Sequence, residues 1–208
     1  MECDACQSWI KPLVDREART TRCPECGHVE AFESFPLFIL TGTSGTGKSA
    51  VLPELRRLLP GWEIFETDIL WDSAGDWRFV HCNWLRVAHS IALQGRPTLL
   101  SGTLLPEHLE DCDNRHLFHR IYYLALHCDD ETRETRLRAR PEWRGVTEEK
   151  LSEYRKCAQW LLEHAAEAFD PPLVLLDTTD APVAQTAREI HDWASLHWSR
   201  EQQSVDAP

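Results

Sequence analysis

The sequence predicts a three-layer α/β/α fold with a five-stranded parallel sheet at its centre, preceded by a small cysteine-stapled module. Three observations carry this prediction. From Phe35 onward, short apolar runs alternate with longer amphipathic stretches, the pattern of a parallel sheet crossed by helices. Those runs are nearly continuous in apolar character, as strands covered on both faces must be. Ahead of them, two Cys-x-x-Cys pairs stand in a segment poor in apolar residues, too small to fold on a hydrophobic core of its own.

In chain order, residues 1–34 form the cysteine module. Cys3 and Cys6 are followed, after sixteen residues, by Cys23 and Cys26. Each pair makes a knuckle that presents two thiolates, and together they complete one tetrahedral Zn²⁺ site. With four protein ligands the site is closed and structural, a zinc ribbon. Lys11, Arg16, Arg19 and Arg22 keep a nucleic-acid contact open for this module, and docking of a protein partner is open as well. Residues 35–200 form the second domain. Strands are expected at Leu37–Leu40, Trp62–Phe65, Thr98–Ser101, Ile121–Leu126 and Leu173–Leu176, with helices near 48–59, 83–94, 106–113, 131–140, 148–168 and 182–198. Pro53 is tolerable if it lies in the first turn of its helix and bends the helix otherwise. Residues 201–208 read as a flexible polar tail.

Composition narrows the class of partner. The 208 residues include 22 basic and 34 acidic ones, a net charge of −12. That balance disfavours a dedicated duplex-binding protein, although a local basic groove stays open. No apolar run reaches the roughly 18 residues of a membrane helix. The first residues lack the basic and apolar regions of a leader, so a cytoplasmic location with no membrane partner is expected. Cys82, Cys112, Cys128 and Cys157 are then read as free thiols acting as small hydrophobes.

The clearest chemical signal is Gly42-Thr43-Ser44-Gly45-Thr46-Gly47-Lys48-Ser49, which matches G-x-x-x-x-G-K-[ST] between a buried strand and an amphipathic helix. Its glycines let backbone N–H groups turn toward a β-phosphate, and the helix N-terminus adds its positive end. Lys48 reaches the β- and γ-phosphates, and the Ser49 hydroxyl binds Mg²⁺. No Asn-Lys-x-Asp element signals guanine, so ATP is the expected nucleotide.

Further along, Glu66-Thr67-Asp68 closes the second strand, with both acids expected on one side by strand alternation. Here the chain resembles the small P-loop kinases: shikimate kinase, gluconate kinase, adenylylsulfate kinase and the chloramphenicol phosphotransferases. By that resemblance Asp68 holds and deprotonates the acceptor hydroxyl, and Glu66 contacts Mg²⁺ through water. The first acid is Glu where several of those kinases carry Asp. Ser101-Gly102-Thr103 ends the third strand in place of the acid of motor ATPases. In adenylate-kinase-like and gluconate-kinase-like proteins, an Arg-Leu-x-x-Arg resembling Arg136 to Arg140 opens a mobile lid. The resemblance implies that Arg136 stacks on adenine, that Arg140 contacts the transferred phosphate, and that Arg144 adds a third cation. The Asp177-Thr178-Thr179 and Pro182-Val183 segments resemble the loop whose backbone lines the adenine. The likeness runs from Phe35 to about Ser199.

Between the second and third strands, Trp71, Trp77 and Trp84 stand with Arg78, His81, Arg86, Asp72 and Asp76. Indole faces suit a nucleoside or another flat ring, while packing between helix and sheet is the alternative use of the same residues. The function expected is ATP-dependent transfer of the γ-phosphate to a hydroxyl or phosphate of a small molecule, with a nucleoside or nucleotide favoured. Two alternatives share these motifs: a polynucleotide or RNA kinase that reads its substrate with the ribbon, and a non-catalytic nucleotide-binding regulator.

Overall fold

The computed structural model describes residues 2–70, 76–141 and 146–205. The N-terminal module is a three-stranded antiparallel sheet of β1 (Leu13–Asp15), β2 (Thr20–Arg22) and β3 (Val29–Ala31). Its strands are three residues long, and β1 and β3 are exposed throughout. Cys3, Thr21 and Cys23 are the buried side chains of this unit. It touches the rest of the chain through Arg16 to Glu110 at 3.4 Å, Lys11 to Asp113 at 3.5 Å, and an edge-on contact of Phe32 with His116. Both ion pairs are exposed and therefore weak.

The second unit is a five-stranded, wholly parallel sheet. Its strands are β4 (Phe35–Thr41), β5 (Glu63–Glu66), β6 (Thr98–Ser101), β7 (Phe118–His127) and β8 (Val174–Asp177), in the order β5-β6-β4-β7-β8. The period of two along a strand explains why each run is apolar throughout. Leu37 and Ile39 of β4 join Leu100, Tyr123 and Ala125 on one face, beneath α2 (Trp77–Ala92) and α5 (Glu148–His164). Phe38 and Leu40 point the other way, into a core with Leu99, Leu124 and Leu126. That face is covered by α1 (Lys48–Leu58) and α6 (Val183–Val205) through Leu52, Leu55, Ile190 and Ala194. Two short helices complete the layers, α3 (Glu107–Glu110) and α4 (Asp130–Arg138). Among the described residues, no helix is long and apolar enough to cross a membrane.

Several local expectations shift. α2 starts six residues before the expected helix because the Asp76 carboxylate accepts from the Phe79 N–H and caps it. The helix expected at 106–113 is a single turn, α3, followed by a 3₁₀ stretch at Asp113–Leu117. Pro53 lies in the interior of α1, so the Ser49 carbonyl lacks its helical N–H partner. The polar end from Glu201 onward is helical to Val205. Glu201 is buried, accepting from Tyr122 Oη and pairing with His119 at 2.9 Å. Hydrophilicity suggested fraying, but this one acid turns inward to a cluster supplied by β7. Cys82 and Cys112 are not free thiols: they form a disulfide with Cα atoms 5.2 Å apart. Thirty residues separate them, so only the packing of α2 against the segment after α3 reveals the pair.

The tips of β5 and β6 meet tightly. A Cβ on Gly102 would fall 2.0 Å from Thr67 Oγ1, and Thr67 is itself buried. Gly102→Ala is therefore expected to destabilise the chain by about 1–3 kcal/mol, as overpacking does. Adding Thr67→Ala should recover a large part of that loss, and urea unfolding of the two single variants and the double variant measures the coupling.

Candidate active site

The turn from β4 into α1 brings the backbone against two neighbours. Gly42 has φ of +125°, and a side chain there would strike the Leu126 carbonyl at 2.3 Å. Gly45, with φ of +91°, lies against Arg133, where a Cβ would come within 2.8 Å of Cγ. Only glycine satisfies both the left-handed backbone and the approach. Arg133 is buried beneath the loop, donating to the Cys128 carbonyl at 3.4 Å and pairing with Asp130. Within the loop, the Thr46 hydroxyl donates to the Thr43 carbonyl at 2.9 Å. α1 then begins at Lys48, with its first N–H groups directed at the loop's mouth.

This loop forms one side of a cavity of about 490 Å³ lined by Ser44 to Ser49, Glu66, Asp68, Thr103, Arg136, Arg140 and Thr178. Gly42 and Thr43 stand behind that wall. The Lys48 ammonium donates to the carbonyls of Gly42 and, at 2.9 Å, of Thr43. Burial lowers its pKa to about 8, with the Asp68 charge opposing the shift. The Ser49 hydroxyl donates to Glu66 Oε1, so the hydroxyl and the acid expected at a Mg²⁺ ion are in contact. Asp68 reaches the same cavity, but not by strand alternation: β5 ends at Glu66, and Asp68 sits on the 3₁₀ turn Thr67–Leu70. The Arg140 guanidinium has no partner among the described residues and lies close enough to Lys48 to disfavour its charge.

The opposite end of the cavity is organised by threonines whose side chains the sequence did not single out. The Thr178 hydroxyl lies 2.9 Å from the Thr46 carbonyl and 3.0 Å from the His127 carbonyl. Arg136 donates to Thr178 Oγ1 at 3.3 Å and to the Thr178 carbonyl at 2.7 Å. Asp177 accepts from both the N–H and the hydroxyl of Thr179, which hold its pKa below the usual carboxylate range. Thr179 Oγ1 in turn accepts from the Asp129 N–H at the start of α4. Loop 177–182 is thus tied to the phosphate loop and to α4, which carries Arg136; Arg140 lies two residues beyond the end of that helix. The Asp177-Thr178-Thr179 run was the available signal.

On the acceptor side, Trp84 is core. It is 2% exposed, and its indole N–H donates to the Thr67 carbonyl at 2.9 Å, fixing the turn that carries Asp68. Trp77 is 45% exposed and stacks on His81, which stacks on His108. Burial, with the neighbouring His108, lowers the His81 pKa to about 4, so this stack is uncharged at neutral pH. Trp71, Asp72 and Arg144 lie outside the described residues.

A second candidate site lies in the N-terminal sheet. The four Sγ atoms of Cys3, Cys6, Cys23 and Cys26 all lie within 4.8 Å of one another. Cys3 to Cys26 and Cys6 to Cys23 are each 3.8 Å apart, and a tetrahedron with metal–sulfur bonds of about 2.3 Å has edges of about 3.8 Å. The two knuckles repeat one hydrogen-bond pattern. Gln7 N–H donates to Cys3 O and Cys3 N–H to Ser8 O, while Gly27 N–H donates to Cys23 O and Cys23 N–H to His28 O. Gln7 and Gly27 both take positive φ, which tightens each turn. The donor set fits one thiophilic ion.

A parallel sheet in this order, with a phosphate loop between its central strand and α1, gives the chain the fold of the P-loop kinases. It is similar to a gluconokinase from Sinorhizobium meliloti 1021, with 17% identity, a TM-score of 0.56, and coverage of 85% of this chain and 99% of that one. It is also similar to a sugar kinase from Janibacter sp. HTCC2649, with 17% identity, a TM-score of 0.56, and coverage of 78% and 95%. For a shikimate kinase from Acinetobacter baumannii, in complex with shikimate, the values are 19%, 0.53, 80% and 96%. At these identities the likeness concerns the fold alone. No family model and no curated protein matches the chain.

The lowered pKa of Lys48 has a measurable consequence. A bound polyphosphate favours the ammonium form, so affinity for a non-hydrolysable ATP analogue should be level below about pH 8. Above it, affinity should fall by up to about tenfold per pH unit. Isothermal titration from about pH 6.5 to about 9.5 tests this, and Lys48→Arg should remove the break because arginine stays charged.

Proposed function

We propose that the chain is an ATP-dependent kinase that transfers the γ-phosphate to a hydroxyl or phosphate group of a small molecule, with a nucleoside or nucleotide as the favoured acceptor. The observation that carries this reading is the gathering of Lys48, Ser49, Glu66, Asp68 and Arg140 around one cavity. Backbone N–H groups of residues 44–49 cradle the β-phosphate, and Lys48 balances charge on the β- and γ-phosphates. Ser49, with Glu66 acting through water, would hold Mg²⁺, which supplies charge neutralisation on the transferring group. Arg136, tied to the 177–179 loop, stacks on the adenine, while Arg140 meets the moving phosphate. The acceptor oxygen attacks the γ-phosphorus as the bond to the β-bridging oxygen breaks. Asp68 aims that hydroxyl and takes its proton, and ADP leaves.

The ribbon, residues 1–34, would hold one Zn²⁺ through Cys3, Cys6, Cys23 and Cys26 as a structural staple, and the kinase domain would span residues 35–200. Lys11 and Arg16, two of the four ribbon cations that left a nucleic-acid contact open, pair with Asp113 and Glu110 of the same chain. That supports a small-molecule acceptor over a polynucleotide. The proposed location is the cytoplasm.

ADP release by the purified protein across nucleosides, nucleotides, sugars, sugar acids and antibiotics tests the activity; no release above the ATP-only rate with any acceptor overturns it. Asp68→Asn should keep the affinity for ATP and Mg²⁺ within about twofold yet lose roughly 10²-fold in kcat, the scale of a positioned base. A parallel loss of nucleotide affinity would instead assign Asp68 to the metal. Metal analysis should find one zinc per chain. Cys26→Ser should expose the N-terminal unit to proteolysis while leaving nucleotide binding intact.

A further inference from the structure

The Cys82–Cys112 disulfide ties α2 to the segment that follows β6, behind the Asp68 turn and the Ser101–Thr103 strand end that line the cavity, and no step of the proposed reaction uses it. Cys82 lies on α2, whose Trp84 indole fixes the Thr67 carbonyl beside Asp68. Cys112 ends the segment that leaves β6 through Gly102 and Thr103, and Thr103 Oγ1 donates to the Gly42 carbonyl of the phosphate loop at 3.0 Å. The bond therefore connects the support of Asp68 to a strand of chain pinned on the phosphate loop. The other links between these elements are non-covalent: Trp84 and Leu85 share the core with Leu104, Leu105 and Leu109, Arg78 donates to the Asp111 carbonyl at 3.0 Å, and His81 stacks on His108.

The two sulfurs are not equivalent. Cys112 is 4% exposed, whereas Cys82 is half-buried and lines a surface cleft of about 180 Å³. Arg78 and Arg86, one helical turn before and after Cys82 on α2, line that cleft with it, as do Asp76 and Asp113. The Arg86 guanidinium has no partner among the described residues. Cys82 is thus the sulfur that a thiol from solvent can reach, and the Arg86 guanidinium in the same cleft attracts an approaching anion.

We propose that Cys82–Cys112 is a reversible thiol–disulfide clasp behind the acceptor side of the cavity, opened by attack of an anionic low-molecular-weight thiol on Cys82 Sγ. The attacking thiolate forms a mixed disulfide with Cys82 as the Sγ–Sγ bond breaks, and Cys112 leaves as a thiolate that takes up a proton. A second thiolate then displaces Cys82, giving two protein thiols and one small-molecule disulfide. The protein disulfide is reduced and two small thiols are oxidised. With the clasp open, the 102–117 segment and the turn bearing Asp68 are held by those non-covalent contacts alone. The effect on the acceptor rests on the kinase reading; the chemistry and the loosening do not.

Two measurements on the zinc-loaded full chain test this without turnover. With glutathione disulfide, the Cys112→Ser variant should gain one glutathione adduct, on Cys82, as read by intact mass and peptide mapping. Cys82→Ser should leave Cys112 unmodified over the same period. A faster reaction at Cys112, or none at Cys82, overturns the assignment of the attacked sulfur. In hydrogen exchange, peptides covering 102–117 and 67–70 should exchange about tenfold faster or more once the bond is absent, with residues 42–49 unchanged. The comparison is made with the Cys82→Ser/Cys112→Ser double variant and, independently, with the native chain reduced by glutathione, so a folding defect in the variant cannot decide the result. Equal exchange rates with and without the bond overturn the clasp. If both measurements succeed while no acceptor raises ADP release above the ATP-only rate, the kinase reading fails and the clasp stands.

Discussion

The approach of the phosphate loop to the end of β7 is the constraint on which the rest of the site depends. Gly42 passes so close to the Leu126 carbonyl that any side chain would collide with it, and its own carbonyl is shared by Lys48 and Thr103. This one peptide thus receives β4 from below, β6 from one side and the first residue of α1 from above. Gly45 makes the corresponding contact with Arg133, a cation buried by α4 and held by Cys128 and Asp130. Because the loop is gripped from both flanks, the direction of its N–H groups is set before any phosphate arrives. That is the preorganisation phosphoryl transfer demands.

Electrostatics around the loop follow from burial. Lys48 is enclosed, so its ammonium is stabilised only partly by Asp68 and Glu66 and is opposed by Arg140. A polyanion entering this space meets cations whose mutual repulsion it relieves. The two acids stand on the far side, one touching Ser49 and the other on the turn braced by Trp84. The cavity is therefore polar from end to end: positive at the loop and at Arg136 and Arg140, negative at the β5 tip. In the proposed kinase, that gradient would separate the group to be transferred from the group that receives it.

What could be read in advance was what is encoded locally. The five apolar runs became the five strands because a parallel sheet buries both faces, and Gly42 to Ser49 became the loop because its glycines have few other uses. The four N-terminal cysteines converge because each knuckle is a short-range turn. Features that rest on distant contacts stayed hidden. Asp68 was expected on a strand but lies on a 3₁₀ turn that depends on Trp84, seventeen residues away. Glu201 looked like part of a polar tail until β7 supplied Tyr122 and His119. Cys82 and Cys112 looked like unrelated thiols until α2 and the segment after α3 were placed side by side.

Thr178 carries a consequence of its own. A hydroxyl has one proton, yet this one faces two carbonyls at nearly equal range, Thr46 in the loop and His127 at the end of β7. It can serve only one of them at a time. The His127 carbonyl already receives the Thr178 backbone N–H at 2.8 Å, so the Thr46 carbonyl has more to gain from the hydroxyl proton. One residue therefore fastens the loop to the sheet with bonds of two kinds, its backbone holding the end of β7 and its side chain holding the loop.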